Sequence, residues 1–329
     1  MQARSLARNF PLKRRVESFN VPHFFIGLPP LFKNIIAFRI DPSWSKTTAQ
    51  IEAGLSLVRF VPCGATQEKS IGWSSPRGDK HGMLVESVAG QWMMRLTMET
   101  KVLPASVVKR RAEERIEQIE ETTGRKPGRM ERKDIREETL LELLPKAFTR
   151  ISNTTVWIDP TARLLVIDAS SPVKADEVVA VMLRCLDGIV ITPLQTESSP
   201  ASQMTAWLMT HEAPGNFDVD RECELKATDD SQAVVRYSKH TLDNDEVRKH
   251  LQNSKTPTRL ALLWNGRVSF TLNDTCQIKK LKFLDGVVDE GPKVEEEDRF
   301  DADVAVITGE LSRLIPELID ALGGELTVA

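Results

Sequence analysis

The sequence predicts an α+β fold of several parts, with antiparallel and mixed sheets, packed helices and one projecting, charged helical hairpin. Three observations point there. Segments that alternate apolar and polar residues recur between residues 32 and 283, as half-buried strands do. Segments whose apolar residues repeat at helical spacing lie among them. Asn265-Gly266 separates two apolar runs, a strong short-range signal for adjacent antiparallel strands. At 329 residues the chain is longer than one ordinary core requires, so several packed units are expected. We divide it into a doubtful extension over 1–30, an N-terminal part over 31–104, a hairpin over 105–150 and a C-terminal part over 151–329.

Residues 1–30 are Arg-rich, contain Glu17 as their one acid and lack the apolar region and cleavage site of a secretory signal. We read them as an upstream start and expect the fold to open near Leu31. "FKNIIAFRI" (32–40) reads as a strand, "TTAQIEAGLSLV" (47–58) as a helix capped by Ser45 or Thr47, and "RFVPCG" (59–64) as a strand that Pro and Gly end. "GQWMMRLTMETKVLP" (90–104) is a long strand. Apolar residues at 108, 112, 116 and 119 mark one helix, and those at 135, 140, 141, 144 and 148 mark another. "TGRKPGR" (123–129) breaks them into an antiparallel pair. "TTVWIDPTARLLVIDAS" (154–170) is a hairpin turning at Pro160, followed by the helix "KADEVVAVMLRCLDGI" and the strand "VITPL". "AVVRYS", the two halves of "RLALLWNGRVSFTLN" and "QIKKLKFLD" are further strands, and 306–324 is a closing helix that contains Pro316 and stops at Gly-Gly.

Charge and cysteine usage exclude several classes. No apolar run approaches the roughly 18 residues that span a bilayer, so a membrane protein is not expected. Cys63, Cys185, Cys223 and Cys276 are widely separated, form no zinc-type pair and read as reduced thiols of a cytosolic protein. The net charge of −3 hides segregation: residues 101–150 hold 13 Lys or Arg against 10 acids, whereas 289–303 is predominantly acidic. The sequence contains no phosphate-binding Gly-rich loop, no GxSxG and no HExxH, and its His residues stand apart from acids and Cys; no cofactor is expected.

Two features bear on chemistry. Asp301 and Asp303, read on one side of a strand, are what a two-metal nuclease uses; an acidic turn before the last helix is the alternative. In "QIKKLKF" a strand sets Leu281 and Phe283 on one face and Lys280 and Lys282 on the other, a sheet with its back in a core and its front toward an anion. Lys101, Lys109, Arg110, Arg111, Arg125, Lys126 and Arg129 add cations along the long strand and the hairpin, although Arg110 can pair with Glu114 one turn on. No ladder of aromatics accompanies them, so base-by-base or single-strand reading is not supported.

"LFKNIIAFRI", "FVPCG", "KVLP", "LLPKAFTR" with "WID", "KKLKF" and "RFDAD…TGEL" occur in collinear order over about 31–325 and together resemble the RdgC family of recombination-associated proteins. That resemblance implies a curved monomer of a non-enzymatic protein on the cytoplasmic nucleoid. Two such subunits close a ring around double-stranded DNA, with little regard for sequence, and limit the access of the recombinase RecA. A ring of two identical chains needs two self-complementary contacts. For one we nominate Phe148, with Lys146 facing the DNA; a core position for Phe148, on the helical stripe with Leu140 and Leu144, is the competing reading. For the other we nominate "YSKHTLD" (237–243), with Lys239 and His240. The expected DNA contacts are Lys101, Lys109, Arg110, Arg129, Lys146, Lys280 and Lys282. A DNA-processing enzyme built on Asp301 and Asp303, or a module that docks on a recombinase through the hairpin, are the alternatives.

Overall fold

A computed structural model describes residues 31–284, 287 and 296–326, which belong to one compact unit. Its strands are β1 (Ile35–Ile40), β2 (Lys69–Ser74), β3 (Val85–Val88), β4 (Gln91–Val102), β5 (Phe148–Asp159) and β6 (Leu164–Asp168). They continue as β7 (Ile191–Pro193), β8 (Phe217–Ala227), β9 (Val234–Tyr237), β10 (Lys255–Trp264), β11 (Val268–Asn273) and β12 (Ile278–Phe283). The helices are α1 (Thr48–Ser56), α2 (Ala105–Thr123), α3 (Arg129–Leu143), α4 (Pro172–Cys185), α5 (Pro200–Thr210), α6 (Asp245–Gln252) and α7 (Glu296–Ala321). The fold class is α+β, as the sequence predicts. One open antiparallel sheet runs β2-β4-β5-β6-β1-β12-β11-β10-β8-β9, with β3 added on β4 and β7 on β1.

Local chemistry sets the helix ends. Thr47 caps α1 reciprocally with Gln50, Ser171 and Ser199 cap α4 and α5 just ahead of a proline, and Asn244 caps α6. Gly124, with φ of 72°, closes α2 in the left-handed conformation, and the chain returns through Pro127 and Gly128 into α3. Asn265 and Gly266 both take positive φ, 50° and 63°, and turn β10 into β11 as the dipeptide predicts.

Strand pairing defines two faces of the sheet. On one, Ile35, Val166, Trp157 and Met93 join Leu260, Leu262, Phe270, Leu272 and Ile278, and α5, α6 and α7 cover this layer with Met204, Trp207, Val247, Leu311 and Leu314. On the other, Phe38, Ile40, Leu165, Ile167, Val156 and Met94 pack under α1 and α4. That second roof stops at β1. Beyond it the same face passes through Lys279↔Thr271, Arg259↔Glu224 and Glu224↔Arg236, and these residues are polar.

Several expectations change. "RFVPCG" is not a strand of the sheet: Val58 and Phe60 reach β2 through the backbone of Trp73 alone, and the chain then leaves at Pro62. Gly72 permits this approach, since a Cβ there would stand 2.6 Å from the Phe60 backbone. Phe148 does not end a helix; a short 3₁₀ turn, Leu144–Lys146, intervenes and Phe148 opens β5 opposite Val102. Asp301 and Asp303 lie on α7, which begins at Glu296 and so takes in acids read as strand or loop. Helix periodicity before residue 306 was hidden by that run of acids, which suits a helix N-terminus.

Candidate nucleic-acid interface

The uncovered part of the second sheet face holds a cleft of about 530 Å³. Arg236, Arg259, Lys279 and Lys280 line it, with Glu222 and Glu224 between them. Period-2 alternation builds it: Leu260 and Leu262 of β10 turn into the core, which turns Arg259 outward. Arg236 Nε donates to Glu224 Oε2 at 2.5 Å and Arg259 lies 3.7 Å from the same oxygen, so two guanidiniums share one carboxylate. Burial works against the Glu224 charge, yet the Thr258 hydroxyl and Arg236 hold its carboxyl below the usual range. Lys280 donates to Glu222 at 2.7 Å and, through that bond, lowers the Glu222 carboxyl as well.

Lys279 is the most confined of these cations. Burial, reinforced by repulsion from Arg259, pulls its ammonium below the ordinary lysine range, and its Nζ donates to the Ser170 carbonyl at 3.0 Å. Ser170 immediately precedes Ser171, the cap of α4, so the positive end of that helix borders the cleft. Four cations against two carboxylates, with Thr271 and Asn273 as polar lining, can take up an oxyanion such as a backbone phosphate.

A bulge makes this arrangement. Ser269 pairs with Lys282 and Thr271 with Lys279, so two residues of β12 stand opposite Phe270, and Lys280 takes a φ of 51°. Leu281 remains buried and Lys280 and Lys282 exposed, as the alternation requires, but the bulge also turns Lys279 to the cleft. Lys279, Arg236 and Arg259 were not among the residues nominated from sequence. The outward position of Arg259 in an otherwise apolar run was a usable signal; the bulge was not readable.

The other nominated residues are spread over the fold. Lys101 is half-buried near the end of β4 and Lys146 is exposed in the turn before β5. Lys109 is 3.7 Å from Glu113 and Arg110 is 4.0 Å from Glu114, both along α2, while Arg129 opens α3. Such exposed helix pairs are weak and leave the cations available. Phe148 is 86% exposed, which rules out the core reading within one subunit. It shares its sheet face with the cleft, through Val156, Ile167 and Ile36. Lys239 and His240 are exposed after the edge strand β9, in the opposite half of the sheet from Phe148, and Lys239 takes a φ of 55°.

Asp301 bonds Arg77 Nη2 at 2.5 Å, and Arg77 also reaches Glu86 at 3.4 Å and stacks over Phe300. Asp303 faces Arg299 at 3.9 Å, and burial raises its carboxyl above the usual range. Asp301 is therefore committed to tying α7 to the loop after β2. Among the described residues no group of three or more His, Cys, Asp and Glu is placed to hold a metal ion. The four cysteines are free, and burial pushes Cys223 up to about 12 and Cys276 up to about 11. No helix of the described residues is long and apolar enough to cross a membrane.

Comparison with known proteins agrees with the resemblance read from the sequence. The family described as "Putative exonuclease, RdgC" matches residues 31–325. The "Recombination-associated protein RdgC" of Dechloromonas aromatica is 44% identical over 303 residues, covering 91% of this chain and 99% of the relative. The proteins of the same description from Bordetella pertussis and Herminiimonas arsenicoxydans are 41% and 40% identical, covering 90% and 89% of this chain and 99% and 98% of their own. The chain belongs to the RdgC family.

Proposed function

We propose that this protein binds duplex DNA without regard to sequence, as one subunit of a homodimeric ring, and thereby limits the access of RecA in recombination. The observation that carries the DNA reading is the cationic cleft on the unroofed half of the sheet. Its cations present guanidinium and ammonium groups suited to phosphate, and Tyr237 is the single aromatic among its lining residues, too few for a ladder that stacks successive bases. Phe148, exposed and on the same face, supplies an apolar anchor for a subunit contact, and Lys239 with His240 marks a second contact in the other half of the sheet. Lys282, on the cleft's face of β12, extends its positive surface, and Lys101 and Lys146 add cations near Phe148. The protein acts in the cytoplasm, on the nucleoid, and requires no catalysis of its own.

Topology tests this reading. The protein is bound to a closed circular duplex and to the same duplex linearised, both are challenged with high salt, and retained protein is measured. A closed ring stays on the circle and leaves the linear form. Equal loss from both overturns the ring. The family description names an exonuclease, so the assay also contains magnesium; DNA cleavage abolished by Asp301→Ala overturns the non-enzymatic reading.

A further inference from the structure

The hairpin carries a second positive surface with a different construction. Between α2 and α3 runs a groove of about 480 Å³, and its rim bears Lys109, Arg129, Arg132, Lys133 and Arg136 against the single carboxylate of Glu113. Helical spacing produces it. Residues 109, 112, 113 and 116 share one face of α2, and 129, 132, 133 and 136 share one face of α3. Its floor is Ala112, Ile116 and Pro127: the first and last are buried and Ile116 is half-buried. Lys109 and Lys133 have exposed partners in Glu113 and Glu137, whereas Arg129 and Arg136 make no ion pair among the described residues. The hairpin holds its shape by packing on itself, through Val108, Ala112, Ile135 and Leu144, all buried.

We propose that this groove is a docking site for a short acidic peptide segment of a partner protein, with one apolar side chain seated on Ile116 and flanking carboxylates held by the arginines. Two features favour a peptide over duplex DNA. Packed helices stand about 8–10 Å apart, so a duplex meets only the rim and leaves the apolar floor unused. A leucine-sized side chain reaches that floor. From Arg129 to Arg136 the rim spans roughly 10 Å at 1.5 Å per residue, the length of three or four extended residues. The arginine fork grips a carboxylate as it grips a phosphate, with two parallel hydrogen bonds, so the choice of a peptide rests on the apolar floor and the length of the rim. The proposal assigns Lys109 and Arg129, nominated from sequence as DNA contacts, to the peptide instead, and does not depend on the DNA reading of the cleft.

The test uses the full chain and a fluorescein-labelled hexapeptide that alternates glutamate with leucine, followed by polarisation. Saturable binding is expected, abolished when glutamine replaces glutamate in the peptide. Lys133→Glu/Arg136→Glu is expected to weaken peptide binding at least tenfold while duplex affinity stays within twofold of the parent. Ile116→Asp, in a chain whose melting is unchanged, is expected to weaken it comparably through the floor. The proposal is overturned by absence of saturable peptide binding, by equal binding of the glutamine peptide, or by a charge-reversed variant that loses duplex affinity but keeps the peptide. Displacement of the peptide by stoichiometric duplex assigns the groove to nucleic acid and likewise overturns it.

Discussion

The two halves of the sheet share a continuous face and treat it in opposite ways. Over β4, β5, β6 and β1 that face presents Met94, Val156, Ile167 and Phe38, and α1 and α4 bury it. Over β12, β11, β10, β8 and β9 it presents Lys279, Thr271, Arg259, Glu224 and Arg236, and no helix of the described residues covers it. On the opposite face of this half, Leu260, Leu262, Phe270, Leu272 and Ile278 are apolar and are packed under α5, α6 and α7. The uncovered half thus obtains its stability from one side alone and leaves the other free to meet an anion. Charge segregation within the sheet also reconciles an overall charge of −3 with the proposed phosphate binding, because only the local field matters there.

The largest expected effects lie in the roofed half. Ile167→Ala removes a fully buried side chain from beneath the helices and should cost about 2–5 kcal/mol in denaturant unfolding. Arg259→Ala, on the same face of the other half, should change stability by no more than about 0.5 kcal/mol. Equal costs would erase the distinction between the halves. Gly72→Ala should destabilise by about 1–3 kcal/mol, because its Cβ would meet the Phe60 backbone at 2.6 Å and backbone cannot swing aside. A melting temperature equal to the parent's would show that the 58–60 segment is not pinned there.

Phe148→Ser sharpens the comparison at the far end of the face. With 86% of the residue exposed, the substitution should leave melting at low protein concentration within about 0.5 kcal/mol of the parent. Its effect should instead appear in sedimentation and in retention on circular DNA. An unfolded variant, or one that holds circular DNA as persistently as the parent, would refute the interface assignment.

The α+β class, the α2–α3 hairpin, the β5–β6 hairpin and the Asn265-Gly266 turn were legible because local chemistry decides them. Elements set by tertiary contact were not. Short β2 and β3 carry little alternation and are held by pairing with β4, and β8, α5 and α6 follow polar stretches that hide their periodicity. At the site, Lys280 and Lys282 could be read from alternation, whereas Lys279 enters the cleft through a bulge and Arg236 through β9 pairing with β8. Phe148 was legible as an aromatic between two cations, but its helical stripe ended at a 3₁₀ turn over Leu144–Lys146.

The central claim is that the uncovered half of the sheet meets phosphate, and the salt dependence of duplex binding tests it most directly. Affinities of the parent and of Arg259→Ala/Lys279→Ala are measured across a salt series on two duplexes of unrelated sequence. The account predicts equal affinities for the two sequences, a linear fall of log K with log salt, and a slope shallower by about 0.9 for each cation–phosphate pair removed, near 1.8 for the double variant. A folded double variant with the parent's affinity and slope, or a strong preference for one sequence, would contradict it.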